Sequence, residues 1–161
     1  MVNQSGKHLT FFLDKEEYGI PIINVKEIIG MMERTKVPKM PEYVVGVINL
    51  RGKVIPIMDL RLRFGMEKKE YDQRTCIIVI EVNYGESKKM MGIVVDSVSE
   101  VVNIEETEKE APPSCGVGSE SEYLDGIGKV KGKVVMMLNI GKVLDLDEQH
   151  VLENIEEAMV S

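Results

Sequence analysis

Residues 43–60 read YVVGVINLRGKVIPIMDL, and residues 123–140 read YLDGIGKVKGKVVMMLNI. At a constant offset of 80, Tyr43, Gly46, Val47, Leu50, Arg51, Gly52, Lys53, Val54, Ile57 and Leu60 face Tyr123, Gly126, Ile127, Val130, Lys131, Gly132, Lys133, Val134, Met137 and Ile140. Each copy is an apolar run, a basic-Gly-basic triplet and a second apolar run. Gly52 and Gly132 fall where a tight turn needs a positive φ, so each copy reads as a β-hairpin.

Upstream of each hairpin lies a second match, at offset 73. Gly19, Ile20, Ile22, Val25, Glu27, Ile28 and Ile29 face Gly92, Ile93, Val95, Val98, Glu100, Val101 and Val102. Two blocks in the same order imply two tandem modules of about 75–80 residues. Leu9–Leu13, Val44–Leu50, Val54–Met58, Thr75–Val82, Met90–Val95 and Val134–Leu138 read as strands, with turns at Asp14–Glu17 and Asn83–Ser87. Short strands at regular spacing point to an all-β barrel or sandwich.

Helix is scarcer. Ile22–Ile29 has apolar residues at helical spacing and Gly30 as a stop, although its Ile/Val content leaves a strand open. Leu60–Phe64 reads as one helical turn. From Asp147, a plausible N-cap, Val151, Leu152, Ile155, Ala158 and Met159 form one stripe opposite Glu153, Glu156 and Glu157. This segment reads as a terminal helix packed on the body, with a partner-binding tail as the alternative. Residues 105–122 are acidic, carry Pro112-Pro113, Gly116 and Gly118, and read as an exposed, mobile loop inside the second module.

The composition, 43% hydrophobic and 29% charged, is that of a globular chain, and with no Trp the core must be aliphatic. No apolar run approaches the roughly 18–20 residues of a membrane span, and the first residues do not resemble a secretory signal, so a cytoplasmic setting is expected. Net charge is −7, divided as +3 over residues 1–70 and −10 over residues 71–161. An acidic total argues against nucleic acid, which requires a concentrated basic face.

Reactive chemistry is hard to assemble. Triads need a base beside the nucleophile, yet the two histidines, His8 and His150, fall near the terminus and in the tail. Cys76, Cys115, His8 and His150 have no metal-ligand spacing, and no metal or cofactor is expected. Gly116-Val117-Gly118-Ser119 lacks the lysine of a phosphate loop. No enzyme is expected. Surface chemistry remains, and its densest knot is Asn49-Leu50-Arg51-Gly52. An Arg at a hairpin tip can fork onto carboxylates or carbonyls of a partner.

That segment, Gly46-Val47-Ile48-Asn49-Leu50-Arg51-Gly52 continuing through Pro56 and Asp59-Leu60-Arg61, resembles the CheW family of bacterial chemotaxis coupling proteins. So do Glu17-Tyr18-Gly19-Ile20, Val25-Lys26-Glu27-Ile28, Gly92-Ile93-Val94-Val95-Asp96-Ser97-Val98 and Glu122-Tyr123-Leu124-Asp125-Gly126. The likeness runs from about Lys7 to Leu146. It implies two intertwined five-stranded SH3-like β-barrels, with residues 7–70 forming the first, completed by C-terminal residues, 71–146 the second, and 147–161 an amphipathic tail.

It also implies a non-catalytic adaptor that couples transmembrane chemoreceptors to the histidine kinase CheA. The kinase's regulatory domain shares the fold and pairs with it end to end, and the cytoplasmic tip of the receptor docks between the barrels. Receptor-binding positions carried over are Val25, Glu27, Gly46, Arg51, Cys76 and Gly92, together with Asn49 and Gly52 of the same knot. Cys76 stands where relatives often have Val, keeping a small apolar group. The acidic loop, with Glu110 and Cys115 where relatives can carry basic and aromatic residues, departs further and bears on a second kinase contact. A module normally fused to a kinase or receiver domain is the alternative, and a small-barrel ligand binder a more distant one.

Overall fold

A computed structural model describes residues 6–84, 86–111 and 123–144. The helix expected from Asp147, Cys115 and most of the acidic loop lie outside them. The elements are β1 (Lys7–Leu13), β2 (Glu16–Pro21), β3 (Val25–Gly30), β4 (Val44–Leu50), β5 (Lys53–Asp59), α1 (Leu60–Arg63), β6 (Cys76–Tyr84), β7 (Ser87–Val95), β8 (Ser97–Asn103), β9 (Lys109–Glu110), β10 (Leu124–Val130), β11 (Lys133–Leu138) and α2 (Ile140–Val143). They form a first sheet ordered β8-β1-β2-β11-β10-β9 and a second ordered β3-β6-β7-β5-β4.

Without the two-residue β9, the sheets correspond strand for strand. The parallel pair β2–β11 sets Met137 opposite Gly19, and the parallel pair β5–β7 sets Ile57 opposite Gly92. The two pairs are equivalent to each other under the sequence offsets of 73 and 80. Both hairpins shift register at the same place, between Val44 and Gly46 and between Leu124 and Gly126. Each then ends in one helical turn, capped by the side chain of Asp59 or Asn139. The sequence repeat is therefore a structural one.

Its two copies exchange strands. The first copy gives β1 and β2 to the first sheet and β3–β5 to the second. The second copy gives β6 and β7 to the second sheet and β8, β10 and β11 to the first. The second sheet is thus one unbroken run of chain, residues 25–95, and the first is assembled from the segments on either side. Residues 70 and 71, the expected boundary between modules, fall inside that run.

Burial on both faces explains the unbroken apolar reading of β6. Ile77 and Val79 point into the second sheet's own interior with Ile48, Leu50, Ile55 and Ile57. Ile78 and Ile80 point the other way, into a larger core that both sheets share through Leu9, Phe11, Tyr18, Met58 and Ile93. A smaller interior inside the first sheet is closed by Val102, Ile104, Val135 and Met137. Full burial of each such side chain stabilises the fold by about 1.5–3 kcal/mol.

Three local expectations change. Ile22–Ile29 is not a helix: a 3-10 turn over Ile22–Asn24 leads into strand β3, with half-buried and exposed positions alternating along it. The β-branched side chains suit that half-buried edge, and no side chain caps the turn. The turn at Asp14 is tighter than expected, since β2 already begins at Glu16. The start of the acidic loop is ordered: Glu105 and Glu108 form a reciprocal cap around the 3-10 turn Glu106–Glu108, and β9 then pairs with β10.

His8 is buried in β1, where its Nδ1 donates to the Gly6 carbonyl at 2.9 Å. Desolvation lowers its pKa below 6.5 against the weaker opposing effect of that hydrogen bond. The folded chain then takes up this proton less readily than the unfolded one. The stability contributed by neutral His8 is complete above pH 6.5 and is lost as pH falls through the lower folded-state value. Urea midpoints measured between pH 7.5 and 5 should fall more steeply for the parent than for His8→Gln.

Candidate docking surface

The turn joining β4 to β5 pairs Leu50 with Lys53, leaving only Arg51 and Gly52 between the strands. Both have positive φ, 51° and 87°, the geometry of a two-residue turn that follows the twist of the strands. The Asn49 side-chain oxygen accepts from the Gly52 backbone at 2.9 Å and locks the turn. A left-handed conformation costs an ordinary L-residue roughly 1–2 kcal/mol, so Arg51 is held at some expense where Asn or Gly would sit more easily. Its guanidinium, with the side chain 70% exposed, pairs with Glu27 on β3, 29% exposed.

That pair has a structural meaning. Since β3 and β4 are the two outer strands of the second sheet, contact between Glu27 and the tip of the β4–β5 hairpin requires the sheet to curl onto itself. The first sheet repeats the device: Lys131 at the β10–β11 tip, with φ of 51°, donates to Glu100 on outer strand β8 at 3.1 Å. Four of the five exposed large apolar residues among the described ones repeat in the same way, with Ile23 the exception. Ile28 follows Glu27 on β3 and Val54 follows Lys53 on β5 after the first tip, and Val101 and Val134 hold the equivalent places on β8 and β11. The chain therefore carries two rims of one design.

The remaining candidates do not all join Arg51. Val25 lies two residues before Glu27 on β3, half-buried against the shared core. Cys76 opens β6 opposite Gly30, at the far end of the β3–β6 pair from Val25, roughly 15 Å away at strand spacing. Its Sγ donates to the Arg74 carbonyl at 3.1 Å. Gly46 is covered by the chain itself: Thr35 bridges to Val47, and a Cβ on Gly46, φ 144°, would stand 2.6 Å from the Thr35 carbonyl oxygen. Gly92 is internal, where a Cβ would meet Ile57 at 2.5 Å and Ile77 at 2.7 Å. The two glycines thus hold backbone and core, and Glu27, Asn49, Arg51 and Gly52 make the exposed cluster. Sequence reading did not pick out Ile28 and Val54, although their match to Val101 and Val134 was visible.

At the far end of β5 from this turn, an ion network centred on buried Arg61 joins the sheets. The Arg61 side chain, 9% exposed, donates through Nη1 to Asp14 at 2.7 Å and to Asp96 at 2.8 Å, and through Nε to the Glu67 carbonyl at 3.1 Å. Asp14 sits in the β1–β2 turn of the first sheet, and Asp96 where the chain crosses from β7 to β8. Burial alone would lower the Arg61 pKa, but the two carboxylates outweigh it and the net shift is upward. Nearby, burial and then Asp59, which accepts from the Tyr71 hydroxyl at 2.7 Å, push the Tyr71 pKa well up. Among the described residues no His, Cys, Asp and Glu cluster could hold a metal ion, and no helix is long and apolar enough to cross a membrane.

The family model for the CheW-like domain matches residues 7–148. The chain belongs to the CheW-like family. Chemotaxis protein CheW of Klebsiella aerogenes is 36% identical to it over 150 residues, 93% of this chain and 88% of its own. Chemotaxis protein CheW of Rhizobium meliloti is 30% identical, covering 92% of this chain and 98% of its own. The crystal structure of the scaffolding protein TtCheW from Thermoanaerobacter tengcongensis superposes with a TM-score of 0.78 at 32% identity, over 91% of this chain and 92% of that one. CheW proteins are non-catalytic scaffolds.

Proposed function

We propose that this chain is a chemotaxis coupling adaptor that holds the cytoplasmic tips of chemoreceptors against the regulatory domain of the histidine kinase CheA. The observation that carries the reading is the duplicated rim, an exposed ion pair anchored by a strained hairpin residue and accompanied by exposed apolar side chains on each curled sheet. Two such surfaces on one chain suit a protein that must grip two partners at once. A central Arg with apolar neighbours is the composition favoured at the anchoring points of protein interfaces. The receptor tip is assigned to the Arg51 rim, with Val25, Glu27, Asn49 and Gly52 around the contact and Cys76, Gly46 and Gly92 supporting the strands that present it. The setting that follows is cytoplasmic, at the inner face of a receptor array.

Coupling predicts that each pairwise contact is moderate and the three-component assembly much tighter, because the second contact becomes intramolecular. Sedimentation of receptor-bearing membranes with a CheA-type regulatory domain, with and without this chain, measures it. Kinase domain should pellet only when the chain is present, and pelleting that ignores the chain would sink the proposal.

A further inference from the structure

Between β3 and β4 the chain wraps around a groove of about 1000 Å³. Its apolar lining comes from Val37, Met40, Val44, Val45 and Leu62, and its charged wall from Arg34, Lys36, Lys39 and Lys68. Glu33 and Glu42 also line it, leaving the wall net positive. None of the four cations forms an ion pair with any described residue, whereas the adjacent Lys69 reaches both Asp72 and Asp96. Arg34 instead lies 5.0 Å over the Tyr71 ring, and Lys39 is held at φ 63°. A chain of net charge −7 has thus gathered, around one apolar trough, four cations that make no ion pair among the described residues.

The course of the chain supplies an occupant. Arg63 Nε donates to the Val143 carbonyl at 3.1 Å, which ties the end of α2 to α1, and Leu62 beside it lines the groove. The described region therefore ends beside α1, the helical turn that gives Leu62 to the groove. The residues that follow, 145–161, contain Asp145, Asp147, Glu148, Glu153, Glu156 and Glu157, and neither Lys nor Arg. They also contain the Val151, Leu152, Ile155, Ala158 and Met159 stripe. As a helix they would span about 25 Å, and extended about 55 Å, so reach imposes no obstacle.

We propose that the groove is the docking site of the chain's own acidic C-terminal segment, with the apolar stripe on the Val37–Val45 lining and the carboxylates against Arg34, Lys36, Lys39 and Lys68. Charge and hydrophobicity agree on both sides, and the tether keeps the effective concentration high, in the millimolar range for a short connection. The inference is independent of the adaptor reading.

Zero-length carbodiimide crosslinking of the full chain, read by peptide mass spectrometry, tests it directly. Links should join Lys36, Lys39 or Lys68 to Glu153, Glu156 or Glu157 within one molecule, and should fade at about 1 M salt, where the screening length shrinks to about 3 Å. A mixture of isotopically light and heavy chain tells intramolecular from intermolecular links. Hydrogen exchange provides the second readout. In the triple variant Lys36→Glu/Lys39→Glu/Lys68→Glu, amides of residues 147–160 should lose at least about tenfold in protection, and adding Glu153→Lys/Glu156→Lys/Glu157→Lys should restore it. Links to other lysines, links only between molecules, or tail protection unchanged in the triple variant would each overturn the proposal.

Discussion

Exchanging Arg51 for Glu should leave the melting temperature within about 3 °C of the parent while receptor-tip binding weakens at least tenfold. The fold tolerates the change because the side chain is 70% exposed and its only ion pair among the described residues, with Glu27, lies at the surface. Such pairs contribute about 0.2–1 kcal/mol, and for a chain of this size each kcal/mol moves the melting temperature by about 2–4 °C. Binding does not tolerate it, because an Arg anchor at the centre of an interface carries a disproportionate share of the energy and 1.4 kcal/mol is already tenfold. Two further variants separate the causes. Lys131→Glu makes the equivalent change on the other rim and should spare receptor binding. The exchange Glu27→Arg with Arg51→Glu rebuilds an ion pair with its charges reversed. If it restores binding, Arg51 acts only by closing the sheet, and normal binding by Arg51→Glu alone would remove the rim from the site. Calorimetric titration with receptor fragments reads all three.

The opposite profile is expected at Arg61. Arg61→Leu should lower stability by about 3–5 kcal/mol, the cost of breaking a buried charge network and leaving its partners unpaired. Asp96, 11% exposed, would keep the Asp14 backbone N–H at 2.7 Å and Lys69 at 3.8 Å, while the Asp14 carboxylate, 53% exposed, can turn to water. The lower half of the range is therefore the better expectation, a fall of about 10 °C in melting temperature. Asp14→Asn should cost clearly less than Asp96→Asn, by the same exposures. Urea and thermal denaturation measure both. A loss of only a degree or two for Arg61→Leu would mean the junction does not hold the sheets. The position equivalent to Arg61 in the second copy is Gly141, so nothing in the repeat duplicates this junction.

What could be read in advance follows from where the physics is local. The hairpins were legible because a two-residue turn demands its glycine and the register of the paired strands then follows. β3 was ambiguous because an edge strand with one half-buried face shows Ile and Val at spacings that also suit a helix. β2 was hidden by Glu16 and Glu17 at its start, and β8 by Ser97, Ser99 and Glu100 on its exposed side. Of the candidate site, Glu27 and Arg51 were legible as charges, but not that they meet across the edges of a curled sheet. Gly46 and Gly92 could be singled out but not placed, since whether a missing Cβ makes room for a partner or for Thr35, Ile57 and Ile77 depends on contacts distant in sequence.

The exchange of strands between the two copies also gives the molecule a birth order. As the ribosome extrudes the chain, β1 and β2 emerge first yet must wait, because β8, which pairs with β1, and β11, which pairs in parallel with β2, are made only after residue 95. Residues 25–95 already hold every strand of the sheet that carries Arg51, so that sheet can close while translation continues. Once closed it acts as a clamp, bringing β2 and β8 together and shortening the loop that the late strands must bridge. The half of the molecule that presents Arg51 is thus positioned to fold first and to template the other.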